Sequence, residues 1–198
     1  MREVKKPEVR KAEIVGAAIG LFAEVGFEKT TVDAVISKLG VAKGCFYHHF
    51  RSKDELFEAC VIAISEQLEA QYLSIIDDVS VAPGARLVAY LDHSYALAAG
   101  PGSDGFLADL HSLSFRELHR RVTDAVTAAL RPALTRVLDQ GVAAGEFDVV
   151  DSEFTAVAVL GALTGLHEFH AGQPGLDLPR HRQQVLDLLE RILATRLA

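Results

Sequence analysis

The 198-residue sequence has no tryptophan, only two cysteines and no apolar run long enough to cross a bilayer. Cys45 and Cys60 cannot build the disulfide framework of a small secreted protein, and they suit a reducing compartment. A membrane-spanning helix needs about 20 consecutive apolar residues. Residues 1–11 are polar and charged and lack the apolar core of a signal peptide. We therefore expect a soluble, cytoplasmic protein.

Signatures of catalysis are also missing from the sequence. There is no Gly-x-Ser-x-Gly elbow, no phosphate-binding glycine loop and no HExxH motif. Asp77 and Asp78 are most simply part of a solvated acidic face. We predict that the protein is not an enzyme and needs no cofactor. The abundance of Ala and Leu, with few aromatic residues and no alternation typical of strands, predicts an all-α fold.

Charge is distributed unevenly along the chain. The net charge of -7 alone argues against a nucleic-acid-binding protein. However, residues 1–53 contain ten Lys or Arg against six Asp or Glu, a balance of +4, whereas residues 54–198 have a balance of -11. Every lysine precedes Asp54. The pattern predicts a cationic N-terminal part that approaches phosphates and an acidic remainder that does not.

Residues 30–50, TTVDAVISKLGVAKGCFYHHF, read as two short helices joined by a tight turn. Thr30 or Thr31 can cap the first helix, and Gly40 can end it in the left-handed conformation. Apolar residues recur at helical spacing in between, namely Val32, Val35, Ile36 and Leu39. The second helix begins near Ala42, and small or cationic residues in its first turn would let it approach DNA closely. This arrangement is typical of a helix-turn-helix.

The segment from Gly26 to Leu56, with GF-x-x-TT, LGVAKG-x-FYHHF and SKDEL, closely resembles the TetR family of bacterial transcriptional repressors. The resemblance implies a three-helix DNA-binding domain at residues 1–51. It also implies a six-helix effector-binding and dimerisation domain at residues 52–198. A member of this family would bind a palindromic operator as a homodimer and release it when a small-molecule effector binds. An activator role within the family stays open.

The resemblance also assigns DNA contacts residue by residue. Four side chains would contact backbone phosphates: Thr31, Tyr47, His48 and Lys53. Lys43, Gly44 and Cys45 would lie near base edges in the major groove. Cys45 departs from the threonine or serine expected there, so it is either a tolerated small residue or a redox-sensitive contact. Four further apolar residues are expected in the core: Val32, Leu39, Phe46 and Phe50.

Further helices are predicted from the periodicity of apolar residues and from the capping, glycine and proline residues at helix ends. Ser52 and Glu55 form a capping box for a helix that runs to about Ile76. Pro132 predicts a kink or a split in the helix that spans residues 115–144. The other predicted helices cover residues 7–25, 83–98, 106–114 and 151–170, and a last one follows residue 179. Ala158, Gly161, Ala162 and Gly165 form a stripe of small residues, which suits the dimer interface that the resemblance places in the last two helices.

Histidines are frequent outside the N-terminal part, at positions 93, 111, 119, 167, 170 and 181. An effector pocket is predicted from seven residues: Tyr90, His93, Phe106, Asp109, His111, His167 and His170. Metal binding is an alternative for His93, His111, His167 and His170, because imidazoles three residues apart share a helix face. Ordinary surface histidines are the third interpretation.

Two other kinds of function also fit the sequence. The chain could be a stand-alone helical enzyme or metal carrier that uses these histidines. It could also be a helical interaction module whose acidic part binds a protein partner. Salt-dependent binding to duplex DNA separates both from a DNA-binding regulator, since neutralising phosphates releases counterions.

Overall fold

The computed structural model describes residues 6–99, 115–170 and 176–197, and the side chain of His170 lies outside the description. The described residues form eight α-helices and no β-strand, which confirms the all-α prediction. The helices are α1 (Pro7–Val25), α2 (Val32–Leu39), α3 (Lys43–His49), α4 (Lys53–Ile76), α5 (Pro83–Ala98), α6 (Arg116–Ala143), α7 (Ser152–His170) and α8 (Leu178–Ile192). The helix predicted over residues 106–114 lies outside the described residues.

Glycine and threonine set the ends of the first helices as the sequence predicts. Gly26 follows α1 at φ 85°, and Gly40 ends α2 in the left-handed conformation at φ 63°. A side chain is strained in both conformations, so glycine fits them. Thr31 caps α2, because its Oγ1 accepts a hydrogen bond of 3.1 Å from the Ala34 amide. Thr30 is buried instead, and its hydroxyl donates to the Gly26 carbonyl.

The start of α4 differs in detail from the predicted capping box. Ser52 Oγ accepts a hydrogen bond of 3.1 Å from the Glu55 amide, as expected. The Glu55 carboxylate accepts from the amide of Arg51, at 2.6 Å, and not from Ser52 itself. Both bonds satisfy amides that a helix start leaves without a partner inside the helix.

Pro132 does not split the long helix, so that part of the prediction is wrong. α6 runs without interruption from Arg116 to Ala143 and contains Pro132. Proline removes one backbone hydrogen bond. Buried side chains on both sides of it, at Leu130, Ala133 and Leu134, hold the helix in the core. Packing therefore offsets the lost bond.

The chain divides into two compact units. The first comprises residues 1–66 and 101–118, and the second comprises residues 67–100 and 119–198, so the division falls within α4 and α6. The domain boundary that the resemblance places at residue 51 stays a prediction.

Phenylalanine fills the core of the first unit. Phe22, Phe46 and Phe57 are 0% exposed, and Phe50 is 2% exposed. Phe57 of α4 packs against Phe22, Phe27 and Phe115, with ring centroids 5.3, 5.0 and 4.3 Å away. Aromatic pairs at such distances add to the free energy of burial. Through this cluster, α1, the loop after it and the start of α4 pack against one another.

The second unit has an aliphatic core and a buried cation. Leucine, valine and alanine side chains from α5, α6, α7 and α8 form the core. Arg86 of α5 is only 3% exposed; its Nη1 donates to the carbonyl of Ile76, the last residue of α4, at 3.0 Å, and its Nη2 donates to Gln140. A cation at a helix C-terminus is favourable, because backbone carbonyls concentrate negative partial charge there. Arg86 thus joins the end of α4 to α5 and α6.

Among the helices that the structure describes, none is both long and apolar enough to span a membrane.

Candidate functional site

Buried side chains on one side of α3, the second helix of the predicted helix-turn-helix, hold it in the core. Phe46 of α3 and Phe50 after it are buried, as predicted, and Val35 of α2 is 1% exposed. The other side of α3 presents Lys43, Gly44, Tyr47 and His48 to solvent. A Cβ atom built on Gly44 would meet nothing within 4 Å, so the backbone of α3 is open there. The helix therefore offers an outer surface that a large partner can approach.

Most predicted DNA contacts lie on this accessible surface. Thr31, Lys43, Gly44 and His48 are exposed, and 53% of Tyr47 is accessible despite the size of its ring. Cys45 is half-buried and is a free thiol. Lys53 is half-buried as well.

Asp33 is a part of this surface that the sequence prediction missed. Its carboxylate lies 3.1 Å from Lys43 Nζ and so joins α2 to the first turn of α3. The hydrogen bond to Asp33, helped by its negative charge, raises the pKa of the Lys43 ammonium. Asp33 and Lys43 are ten positions apart, on different helices, so periodicity within either helix could not reveal the pair. The carboxylate lowers the positive charge at the start of α3.

Lys53 is engaged with the loop between α1 and α2. Its Nζ donates to the Phe27 carbonyl at 2.8 Å and lies 4.1 Å from the centroid of the Phe27 ring. The Glu28 carbonyl lies 3.4 Å from the same nitrogen. These contacts give Lys53 a structural role at the start of α4. An ammonium has three donors, so one remains for a further acceptor.

His49 adds a group that the prediction did not include. Burial lowers the pKa of its imidazole, and the neighbouring charges of His48, Lys11 and Arg10 act in the same direction. The rings of His48 and His49 are 4.9 Å apart. The lowered pKa favours the neutral form of the His49 imidazole.

Two of the residues predicted for an effector pocket, Tyr90 and His93, lie beside the same ring, that of Tyr72, at centroid distances of 4.9 and 5.8 Å. Tyr90 lines a small apolar cavity in the second unit, whereas His93 Nε2 lies 3.0 Å from Gln71 Oε1. His167 Nε2 lies 3.4 Å from Nε2 of His119, a partner that the prediction did not include. Phe106, Asp109 and His111 lie outside the described residues, as does the side chain of His170. Within the described ranges, no three His, Cys, Asp or Glu side chains are grouped so that they could hold a metal ion.

The cavity beside Tyr90 is too small for an effector as it stands. It measures about 20 Å³ and is lined by the apolar side chains of Ile76, Leu87, Leu130, Leu134, Leu138, Val159, Leu160, Leu163, Leu189 and Leu193 together with Tyr90. Such a volume holds about one water molecule, and a drug-sized ligand needs roughly 300 Å³ or more. Burial raises the pKa of Tyr90 and of Tyr72, whose ring lies 4.9 Å away. Both phenols are therefore neutral hydrogen-bonding groups beside an apolar space.

Sequence comparison decides the family. Residues 14–60, which include all of α2 and α3, match the model for bacterial regulatory proteins of the tetR family. This segment belongs to the TetR family. The resemblance seen in residues 26–56 is thereby confirmed, and the family is one of transcriptional regulators, in line with the prediction that the protein is not an enzyme.

Relatives and solved structures agree with the TetR assignment. The repressor KstR2 of Mycobacterium tuberculosis (strain CDC 1551 / Oshkosh) is 34% identical over 71 residues, which cover 36% of this chain and 36% of that protein. The match thus spans about a third of that relative. The regulator BetI of Vibrio campbellii is 24% identical over 204 residues and covers 98% of this chain and 96% of its own. A putative TetR-family regulator from Mesorhizobium loti shares the fold, with a TM-score of 0.72 at 16% identity over 96% of this chain and 98% of that one.

An exposed apolar face on α7 is a further feature of the second unit. Phe154 is 74% exposed, Val157 50% and Phe169 67%. Gly161 and Gly165 are also exposed, and a Cβ atom on either would meet nothing within 4 Å. Large apolar side chains grouped on one helix face mark an interaction surface.

Proposed function

We propose that this TetR-family chain is a transcriptional repressor that binds duplex DNA through α2 and α3. The single observation that carries the proposal is the exposed surface of Thr31, Lys43, Gly44, Tyr47 and His48 over a buried phenylalanine core. The +4 balance of residues 1–53 supports it, because a cationic surface attracts the phosphate backbone. Repression is the mode of action that the name of KstR2 states for that relative.

The side chains divide into contacts that position the protein and contacts that read sequence. Tyr47 and His48 donate to phosphates, and the Thr31 hydroxyl can still donate although its oxygen caps α2. Lys53 adds a phosphate contact with the donor that its loop carbonyls leave. Lys43, Gly44 and Cys45 approach base edges in the major groove, where Gly44 lets the backbone come close. Phosphate contacts fix the register, and base contacts select the operator.

We propose that two copies associate through α7 and α8. The exposed Phe154, Val157 and Phe169 would be covered in such a dimer, and Gly161 and Gly165 would let the two backbones approach. A symmetric dimer presents two copies of α3, which must enter successive major grooves about 34–36 Å apart. The operator is therefore expected to be a palindrome with half-sites one helical turn apart.

We further propose that a small organic effector binds in the second unit and releases DNA. The apolar cavity beside Tyr90 suits a mostly apolar molecule with one hydrogen-bonding group, after the lining side chains move apart. An effector shifts the dimer towards the state that releases DNA only by its difference in affinity for the two states. The cytoplasm, where the genome is accessible, is the compartment in which such a regulator would act.

Selection from a pool of duplexes with random central sequence tests the DNA-binding proposal. The purified chain should enrich a palindrome whose half-sites are about 10 bp apart, centre to centre. Lys43→Ala should weaken binding to the enriched duplex by about tenfold, because one base contact per protomer is lost. Arg136→Ala is the matched control, since it removes one exposed cation of the second unit that pairs with Asp77. If no sequence is enriched, the proposal fails.

A thermal-shift screen of apolar metabolites and drugs tests the effector proposal separately. A true effector should raise the unfolding temperature and release the enriched duplex at the same concentration range. Ligands that stabilise the protein without releasing DNA would count against effector control.

A further inference from the structure

Two histidines of the second unit face each other across neighbouring helices. His119 lies near the start of α6 and is half-buried, and His167 lies on α7 and is exposed. Their Nε2 atoms are 3.4 Å apart, and their ring centroids are 5.5 Å apart with the planes inclined at 58°. The two ring nitrogens thus approach each other closely, although 48 residues separate the histidines in sequence.

The distance between the two nitrogens matches one edge of a metal coordination shell. A tetrahedral zinc ion binds imidazole nitrogens at about 2.0–2.1 Å, which places two of them about 3.4 Å from each other. A good hydrogen bond from a ring N–H has a donor–acceptor distance of about 2.9–3.0 Å. The observed 3.4 Å is therefore long for a hydrogen bond between the rings and suits a shared ion.

We propose that His119 and His167 bind one divalent transition-metal ion through their Nε2 atoms. Imidazole pairs select borderline ions such as Zn²⁺, Ni²⁺, Co²⁺ and Cu²⁺ over Mg²⁺ and Ca²⁺, which prefer oxygen ligands. Water molecules complete the coordination shell. The ion links α6 to α7, and its binding does not depend on whether the chain binds DNA.

The surroundings of the pair agree with a role as metal ligands. The carboxylate of Glu168, the residue after His167, interacts electrostatically with His167 and adds negative charge beside the pair. Arg120, the residue after His119, is 2.7 Å from the carboxylate of Asp124, which reduces its repulsion of an ion.

The pair differs from the set of metal ligands that the sequence suggested. His93, one member of that set, has its Nε2 3.0 Å from Gln71 and is not paired with His167. His119 was not in the set, because its spacing from His167 gives no signal in the sequence. The contact between α6 and α7 creates the site.

Titration of the full chain, purified without a histidine tag, with Zn²⁺ at pH 7.5 tests the proposal by calorimetry. Co²⁺ absorption reports the coordination geometry. One ion per chain should bind, with a visible Co²⁺ band typical of four ligands. His119→Gln and His167→Gln should each weaken Zn²⁺ binding by about tenfold or more, because losing a ligand costs at least as much as losing a residue that orients one. The double variant should bind no better than either single variant.

His93→Gln is the matched control, since it removes another partly buried histidine of the same unit and should leave the Zn²⁺ affinity unchanged. Thermal unfolding of the ion-free variants separates a lost ligand from a lost fold, and wild-type protein alone should gain stability from added Zn²⁺. The proposal is overturned if wild-type protein binds no Zn²⁺, if either single variant binds it as tightly as wild type, or if His93→Gln weakens binding equally.

Discussion

Asp33 places a negative charge on the surface that we propose to contact DNA. Its carboxylate lies 3.1 Å from Lys43 Nζ, and both side chains are more than half exposed. Near phosphates the carboxylate is repelled, and it also occupies a donor of Lys43. Asp33 thus restrains binding to any duplex and orients Lys43 across the first turn of α3. Such restraint favours an operator that offers Lys43 a good acceptor over DNA that does not.

Asp33→Asn should tighten binding to the operator and to an unrelated duplex alike, by about three- to tenfold at low salt, because a charge that repels phosphates is removed. The gain should be larger in proportion for the unrelated duplex, so selectivity falls. Fluorescence anisotropy with both duplexes measures this. Asp77→Asn, which removes a carboxylate of the second unit, serves as control and should change neither affinity. Weaker binding of both duplexes by Asp33→Asn would contradict this role.

The two cysteines should differ sharply in reactivity. Cys60 is 0% exposed, its Sγ lies 3.6 Å from the Val15 carbonyl, and burial raises its pKa to about 12. At pH 8 such a thiol is almost wholly protonated, and only the thiolate reacts. Cys45 is half-buried on α3. A thiol reagent should therefore modify one cysteine in the native chain and two in the unfolded chain.

Mass spectrometry after brief labelling at pH 8 identifies the modified position. Cys45→Ser should abolish the native-state reaction, and operator DNA should slow the labelling of Cys45 if α3 lies in the groove. Rapid modification of Cys60 in the native chain would contradict the packing described for α4. A peroxide treatment that leaves the DNA affinities of wild type and Cys45→Ser equal would exclude a redox role for Cys45.

Helix α7 carries the apolar surface that we propose as the dimer interface. Phe154→Glu should weaken the homodimer by at least about thirtyfold, because a charge would be buried where an aromatic ring packs. The fold of the protomer should survive, since 74% of Phe154 is exposed within it. Analytical ultracentrifugation measures the dissociation constant. Val79→Glu, at an apolar residue that is 80% exposed outside α7, should leave the dimer intact, and an equal effect of the two changes would contradict the proposed interface.

Local signals in the sequence were sufficient to locate most helices. Pro7, Pro83 and Gly40 mark helix ends by restricting or freeing the backbone, and α1, α4 and α5 end where periodicity and punctuation predict. The prediction at Pro132 was wrong because it considered the backbone hydrogen bond that a proline removes and not the buried residues on both sides of it. Local rules thus predict where a helix can end, and packing decides whether it does.

Contacts between distant residues could not be predicted in the same way. Lys53 and Phe27 are separated by 26 residues, and His119 and His167 by 48. Exposure of α3 could be expected from its polar residues. The pairing of Asp33 with Lys43, however, depends on the angle between α2 and α3, which the sequence does not give. The predicted effector residues share no local rule either. Tyr90 and His93 both lie beside the ring of Tyr72, and His167 lies beside His119.

Charge is distributed along the whole molecule as the proposed DNA binding through the N-terminal part requires. Residues 1–53 carry a balance of +4 and contain every lysine, whereas residues 54–198 carry -11. Phosphates attract the first part and repel the second, so DNA is steered towards α2 and α3. A single overall charge of -7 conceals this separation. The salt dependence of DNA affinity should therefore change when a cation of the first unit is removed. It should not change when a cation of the second unit is removed.

The most direct test of DNA binding by the first unit is the slope of log affinity against log salt concentration for the selected operator. The wild-type dimer should show a negative slope of at least about 2 in magnitude, because Lys53 of each protomer contacts a phosphate. Lys53→Ala should reduce the magnitude of that slope by about 2, one for each protomer, whereas Arg136→Ala should leave it unchanged. Binding that is insensitive to salt, or an equal slope for the two variants, would contradict the account.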